Sequence, residues 1–382
     1  MGRARALVVG AGLVALLAAC SANSATSEPT PSGSTGAPVA RSALDCGDTL
    51  REVAANAKKE GHLTLIGVPQ DWANYGQILD SFREDYGIDV RVMNPDASSG
   101  EELATVKEMA GDPGRPDVVD LSPTFAHQAR VDGLLQPYRS TTWAQIPAGL
   151  KDPDGYWVGS YYGIMAIGTN TKFQPNVPSG WVDLRAPRYK GQVGMDGDPR
   201  TSGAGFGAVV AAALANGGSF DDVLPGIRYF ADLKKAGNLK VIEDSSLLLT
   251  AKAPISLQWL FTFPRAQDGG SIANTLQVTI PADAVYGSYY AQAITADAPH
   301  PCAAALWIEQ LNGDSGALSF LQGRALPARF AALEAFGLVG PDVRTKLPRP
   351  NQIYGITFPT ADQLAKMKSQ IDQYWGPLVA DK

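Results

Sequence analysis

Cysteine and histidine are scarce in this 382-residue chain, with three of each. Cys20, Cys46 and Cys302 are too few for a disulfide-dense scaffold. His62, His127 and His300 lie far apart and lack the spacing of a metal-ligand set, and no GxSxG elbow offers a hydrolase nucleophile. Each histidine reads as a surface or capping residue. Charged residues make up only 18% of the chain, the formal net charge is -6, and Lys and Arg form no cluster. Nucleic acid is therefore not an expected partner, because nothing is arranged to neutralise a run of phosphates. Beyond the first twenty residues, no segment approaches the roughly eighteen unbroken apolar residues of a transmembrane helix.

What is present begins at the N-terminus. Arg3 and Arg5 give a positive start, residues 6–16 form a compact apolar run, and Leu17-Ala18-Ala19-Cys20 follows. This reads as an export signal over residues 1–19, with Cys20 as the first mature residue. The string resembles a lipobox, which implies a lipidated Cys20 and stable anchoring to a bilayer. Residues 20–44 are rich in Ser, Thr, Pro, Gly and Ala and have almost no large apolar side chain. Such a segment cannot repay ordering entropy by burial and reads as a flexible tether. Cys46 and Cys302 then remain in an oxidising compartment, either as one disulfide between the start of the folded body and a distant helix or as two buried thiols.

The folded body alternates helix and strand signals. Leu50, Val53, Ala54 and Ala57 mark one helix face, ended by Gly61, and residues 63–66 read as a buried strand. Ile78, Leu79 and Phe82 mark a second helix, and residues 88–93 a second strand. Ser98 and Ser99 precede Glu101 and Glu102 by three residues, a double capping-box signature for a third helix. Residues 118–121 are a third strand and 123–132 a fourth helix. Crossovers of this length demand a parallel sheet covered on both faces, with ligands held beyond the carboxyl ends of its strands. Residues 156–170 form an extended apolar and aromatic segment before a Pro-rich passage and a second series. That series reads as strands at 191–195, 255–260 and 276–280 and helices at 202–215 and 221–235. Residues 285–295 return as strand, and 301–310, 314–322 and 360–374 read as helices. There is no internal repeat of fixed period.

Four strings carry a family likeness. They are Val68-Pro69-Gln70-Asp71-Trp72-Ala73-Asn74-Tyr75-Gly76, Tyr189-Lys190-Gly191-Gln192-Val193, Gly197-Asp198-Pro199-Arg200-Thr201-Ser202, and Ala298-Pro299-His300-Pro301-Cys302-Ala303-Ala304 running into Leu306-Trp307. In this order, behind a lipobox, they resemble extracellular solute-binding proteins of ABC importers, in the branch of ferric-iron, polyamine, thiamine and phosphonate or sugar-phosphate receptors. The resemblance implies the type II periplasmic-binding-protein-like α/β fold, with two mostly parallel sheets flanked by helices and joined by hinge strands. It assigns residues 45–162 and 286–323 to one lobe and 163–285 and 324–382 to the other. It further implies a monomeric, lipid-anchored binding protein, not an enzyme and without cofactor, at the outer face of the cytoplasmic membrane. Such a protein captures a small polar solute and delivers it to an ABC permease.

Within that frame, Asp71, Trp72, Asn74 and Tyr75 occupy the loop after the first strand. Aromatic faces beside a carboxylate suit an amine, although the same loop also serves to cap the following helix. Arg200, Thr201 and Ser202 precede a small-residue helix and offer a guanidinium, hydroxyls and free amides to an anion, or simple capping. Trp259, Tyr161, Tyr162, Tyr286, Ser288, Tyr289 and Tyr290 suit either core packing or an aromatic cleft wall. Together these point to an anionic or zwitterionic ligand.

The tyrosine pairs raise ferric iron as an alternative. The family's iron ligands would fall near residues 258–263, where Trp259, Phe261 and Phe263 stand instead, and His62 precedes the first strand. A polyamine receptor is the other alternative, though Leu260 follows Trp259 where that branch often carries a carboxylate. Among other classes, Gly203-Ala204-Gly205-Phe206-Gly207-Ala208 matches the spacing of a nucleotide-binding fingerprint, but residues 196–202 separate it from the preceding strand. A signalling receptor would share the same sequence features.

Overall fold

The computed structural model describes residues 44–381. The signal, the tether and the lipidation of Cys20 lie outside the described residues. Eleven strands form a sheet: β1 (His62–Ile66), β2 (Asp89–Met93), β3 (Val118–Leu121), β4 (Leu135–Gln136), β5 (Val158–Asn170), β6 (Val193–Asp196), β7 (Leu239–Ile242), β8 (Ile255–Trp259), β9 (Leu276–Thr279), β10 (Gly287–Thr295) and β11 (Leu326–Pro327). Their main order is β2-β1-β3-β10-β5-β8-β6-β7. The outer flanks, β2-β1-β3 and β8-β6-β7, are parallel, whereas β10 and β5 are antiparallel to their neighbours. Each parallel flank needs helical crossovers, which the chain supplies.

The middle pair joins the two halves. Within β5, residues up to Ile164 pair with β10, while residues 165–169 pair with β8. Both strands are buried along their whole length. Three glycines in β5 let rings from its neighbours lie directly on the backbone. A Cβ at Gly159, Gly163 or Gly168 would stand 2.8, 2.4 or 2.4 Å from Tyr289, Phe261 or Phe263. The residues 156–170 that read as an extended apolar segment thus become the spine of the sheet. The C-terminal region touches both halves: β11 pairs with the first part of β5, and the helix Ala361–Trp375 packs against both Pro123–Val131 and Leu224–Lys235.

Several elements depart from the reading by pattern. The expected helix over 221–235 begins at Leu224, where Pro225 in its first turn fixes the start. The double capping signature resolves into one box, Ser98 with Glu101. Ser99 and Glu102 instead turn inward, Ser99 Oγ accepting from the Ser122 N–H and Glu102 Oε2 from the Asp120 N–H. His62 is the first residue of β1 rather than preceding it. The short β7 completes the second flank and carries no strong alternation in its sequence.

Cys46 and Cys302 are bonded, closing a sequence separation of 256 residues. The bridge pins the segment before helix Leu50–Glu60 to the first turn of Pro301–Asn312, and these two helices pack along each other. Glu60 reinforces the junction by accepting the backbone N–H groups of Cys302 and Ala303. Cross-linking so long a loop removes much entropy from the unfolded chain. Cys46→Ser with Cys302→Ser is expected to cost about 2–5 kcal/mol, read as a lower denaturation midpoint; the wild type melted in reductant should match the variant.

Candidate functional site

The carboxyl ends of β1, β2 and β3 face those of β6 and β7 across a cavity of about 430 Å³. One side is built from Gly67, Pro69 and Trp72 after β1, the segment from Asp96 to Glu102 after β2, and Asp120 near the end of β3. The other side comes from the turn after β6, reaching Thr201 and Ser202, and from the loop after β7. Tyr290 of β10 closes the floor. The two sides meet where the Gly100 N–H donates to the Thr201 carbonyl at 3.4 Å.

The lining is acidic from both halves. Asp96, Glu101, Glu102 and Asp120 line one side, Asp196, Glu243 and Asp244 the other, and among the described residues no Lys, Arg or His joins them. Glu102 is buried under Gly67, whose φ of +69° and missing Cβ make room for the carboxyl group. Burial pushes the Glu102 carboxyl well up, and the neighbouring Asp120 adds to the shift. Asp120 is 1% exposed. Its Oδ2 accepts hydroxyl hydrogens from Tyr75 (3.1 Å) and Tyr161 (2.9 Å), while the Gln292 amide donates to the Tyr75 oxygen (2.9 Å). Gln292 in turn accepts from the Trp307 indole at 3.0 Å. Asp120 Oδ1 has no hydrogen-bond partner among the described residues. Burial raises this carboxyl to about 7 despite the donors that favour its ionised form. Burial likewise raises Asp196, held by the Gln258 amide, to about 6.

Of the residues expected from sequence, Trp72, Thr201, Ser202 and Tyr290 line this cavity. Asp71 is exposed on the adjoining outer face of the loop, next to Asp96. Tyr75 is fully buried and reaches the cavity only through Asp120. Asn74 sits at φ 68° and donates to the Ser319 carbonyl, so its amide fixes the loop rather than facing the cavity. Arg200 is turned aside: its guanidinium forms a two-pronged pair with Asp198, at 2.9 and 2.6 Å. That pairing spends the positive charge that an anion would have used. Ser202 Oγ accepts from the Gly205 N–H and donates to the Asp196 carbonyl, an ordinary cap at the cavity edge.

The remaining aromatics are walls behind the cavity. Trp259 is buried and its indole donates to the Tyr290 hydroxyl at 3.3 Å. Tyr289 stacks on Trp157, and Tyr162 meets Phe358 edge-on. Burial raises the phenols of Tyr162, Tyr289 and Tyr290 and moves Tyr286 to about 12, which keeps them neutral. Among the described residues, no group of three or more His, Cys, Asp or Glu side chains converges to hold a metal ion.

The fingerprint-like glycines of helix Gly203–Ala215 have a packing explanation. A Cβ at Gly203 would meet Ser122 at 2.7 Å, at Gly205 the Gly197 carbonyl at 2.6 Å, and at Gly207 the Trp259 ring at 2.5 Å. These glycines let the helix lie against the turn after β6 and the aromatic wall. Sequence reading missed the carboxylates after β2 and β7 and those at the ends of β3 and β6, because acidic residues near strand ends look like ordinary loop residues until the ends are brought face to face.

Residues 115–335 match the family of bacterial extracellular solute-binding proteins, and the chain belongs to that family. Its members are binding proteins rather than enzymes, and the family places the chain outside the cytoplasm. An uncharacterized protein of Haemophilus influenzae is 33% identical over 140 residues, spanning 34% of this chain and 39% of that protein. Three solved structures share the type II periplasmic-binding-protein fold. The periplasmic binding protein AfuA from Actinobacillus pleuropneumoniae, with exogenous fructose-6-phosphate bound, has a TM-score of 0.65 at 17% identity, covering 84% of this chain and 99% of its own. A putative spermidine/putrescine ABC transporter from Listeria monocytogenes gives 0.61 at 15% identity, covering 82% and 99%. Iron-bound HitA from Pseudomonas aeruginosa gives 0.56 at 18% identity, covering 81% and 99%. No described helix is long and apolar enough to cross a membrane.

The raised carboxyls make the cavity sensitive to pH. A carboxyl whose folded pKa lies above its unfolded value binds its proton more tightly in the native state. The native state therefore loses stability as pH rises from about 4 to about 7, by at most about 1.4 kcal/mol per pH unit for Asp120. Asp120→Asn keeps an acceptor for the tyrosines but cannot ionise. Its melting temperature is expected to fall less than that of the wild type between pH 5 and 7.5; parallel curves would refute the assignment.

Proposed function

We propose that this chain captures a small polar solute between its two halves and delivers it to the permease of an ATP-driven importer. It works as a monomer at the outer face of the cytoplasmic membrane, held by a lipid on Cys20 and a tether through residue 44. The observation that carries this reading is the cavity between two sets of strand ends, joined by a shared pair of strands and touching directly at Gly100 and Thr201. A solute seated there contacts both halves at once. Differential contact of that kind is what shifts a hinged protein toward its closed population. The relatives support the class of cargo: fructose-6-phosphate, spermidine or putrescine, and iron are named for proteins of this fold.

The expectation of an anionic cargo drew on Arg200, which the Asp198 pair withdraws from the cavity. A nucleotide-dependent enzyme drew on the glycine string, which packing accounts for. The proposal expects a solute to co-purify with the chain, identifiable by mass spectrometry of the denatured extract. Adding it back at a hundredfold its dissociation constant should stabilise the emptied protein by about 2.7 kcal/mol and reduce its radius of gyration in solution scattering. No co-purifying solute together with an unchanging scattering profile across a metabolite panel would sink the reading.

A further inference from the structure

We infer that the cleft takes an organic cation, whose ammonium group sits at Asp120 beside the rings of Trp72 and Tyr290. The inference rests on the binding-protein reading above and adds the charge and chemical class of the cargo.

Acidic side chains at a cleft prove little alone, since loop carboxylates are ordinarily solvated. Asp120 is different. It is 1% exposed and lines the cavity, and its Oδ2 is occupied by the hydroxyls of Tyr75 and Tyr161 while Oδ1 has no hydrogen-bond partner among the described residues. An unpartnered buried acceptor costs the native state free energy, which a bound donor recovers. A charged donor must come from outside, because among the described residues no Lys, Arg or His lines the cavity. A positively charged donor also meets the field of Asp196 from the opposite side and of Glu243 and Asp244 at the rim.

The aromatic pair decides the kind of cation. Trp72 is half-buried in the lining and meets Tyr290 edge-on, with ring centroids 5.4 Å apart. Ring faces beside a carboxylate favour an alkylammonium, whose carbons pack while its charge is attracted. A metal ion has no ligand set among the described residues. An anion fares worse. The start of helix Ser99–Glu108 already holds the Glu101 carboxylate on the Ser98 N–H, and Arg200 is paired with Asp198.

The test titrates the full chain, emptied of solute and kept in mild detergent, with putrescine, spermidine and fructose-6-phosphate, read by calorimetry and thermal shift. Putrescine or spermidine should bind and fructose-6-phosphate should not. Asp120→Asn should weaken amine binding at least about tenfold, equivalent to 1.4 kcal/mol. Because Asp120 belongs to a buried network, the exposed double change Glu243→Gln, Asp244→Asn provides an independent reading and should weaken the same amine severalfold. Binding of fructose-6-phosphate alone, amine binding indifferent to both variants, or silence from all three probes overturns the cation assignment. Any of these leaves the binding-protein reading intact, provided a solute still co-purifies with the chain and changes its scattering. Loss of that solute and of the shape change removes both.

Discussion

The fold depends on the antiparallel pairing of β5 with β10. These two fully buried strands carry the chain from one parallel flank to the other and back, and every other strand is placed relative to them. Because the flanks are parallel, their carboxyl ends each open on one edge, and the shared pair sets those edges opposite each other. A cleft between two strand-end clusters is therefore a consequence of connectivity. It needs no special loop. The glycines of β5 let the rings of Tyr289, Phe261 and Phe263 close on this spine, which makes the middle of the sheet dense where the halves join.

Asp120 couples that frame to the cavity. Tyr161 comes from β5 and Gln292 from β10, while Tyr75 opens the helix after β1, so the network around one carboxylate gathers strands and helix at the cleft floor. The arrangement holds the carboxyl in a dry place and leaves one oxygen unanswered. Such a group weakens the empty protein and is tolerated where a ligand completes it. Gly67 and Glu102 extend the same logic one layer outward, with a left-handed glycine making space for a second buried carboxyl group.

Much of the fold was legible in the sequence. Strand 118–121 and helix 314–322 fall where pattern placed them, and most other elements differ by one to three residues at their ends. The reasons are local: apolar alternation, Gly61 and Gly87 as left-handed caps, and Ser98 with Glu101 as a capping box. The site was less legible. Trp72, Thr201, Ser202 and Tyr290 belong to it, but Tyr162, Tyr289 and Trp259 pack behind it, because an aromatic on a buried strand looks the same whether it faces a cleft or a core. Arg200 looked available because its partner, Asp198, is only two residues away, and a side-chain pair at that spacing depends on how the turn folds.

By itself the sequence determined an α/β body, the order of its elements and its family, since these follow from short-range pattern and from strings that survive as strings. Tertiary structure alone decided the sign of the cleft and the identity of its floor. Asp120, Asp196 and Asp244 are separated by 76 and 48 residues in the chain, and no local rule relates them. Their electrostatic meaning exists only once parallel flanks turn their strand ends toward each other.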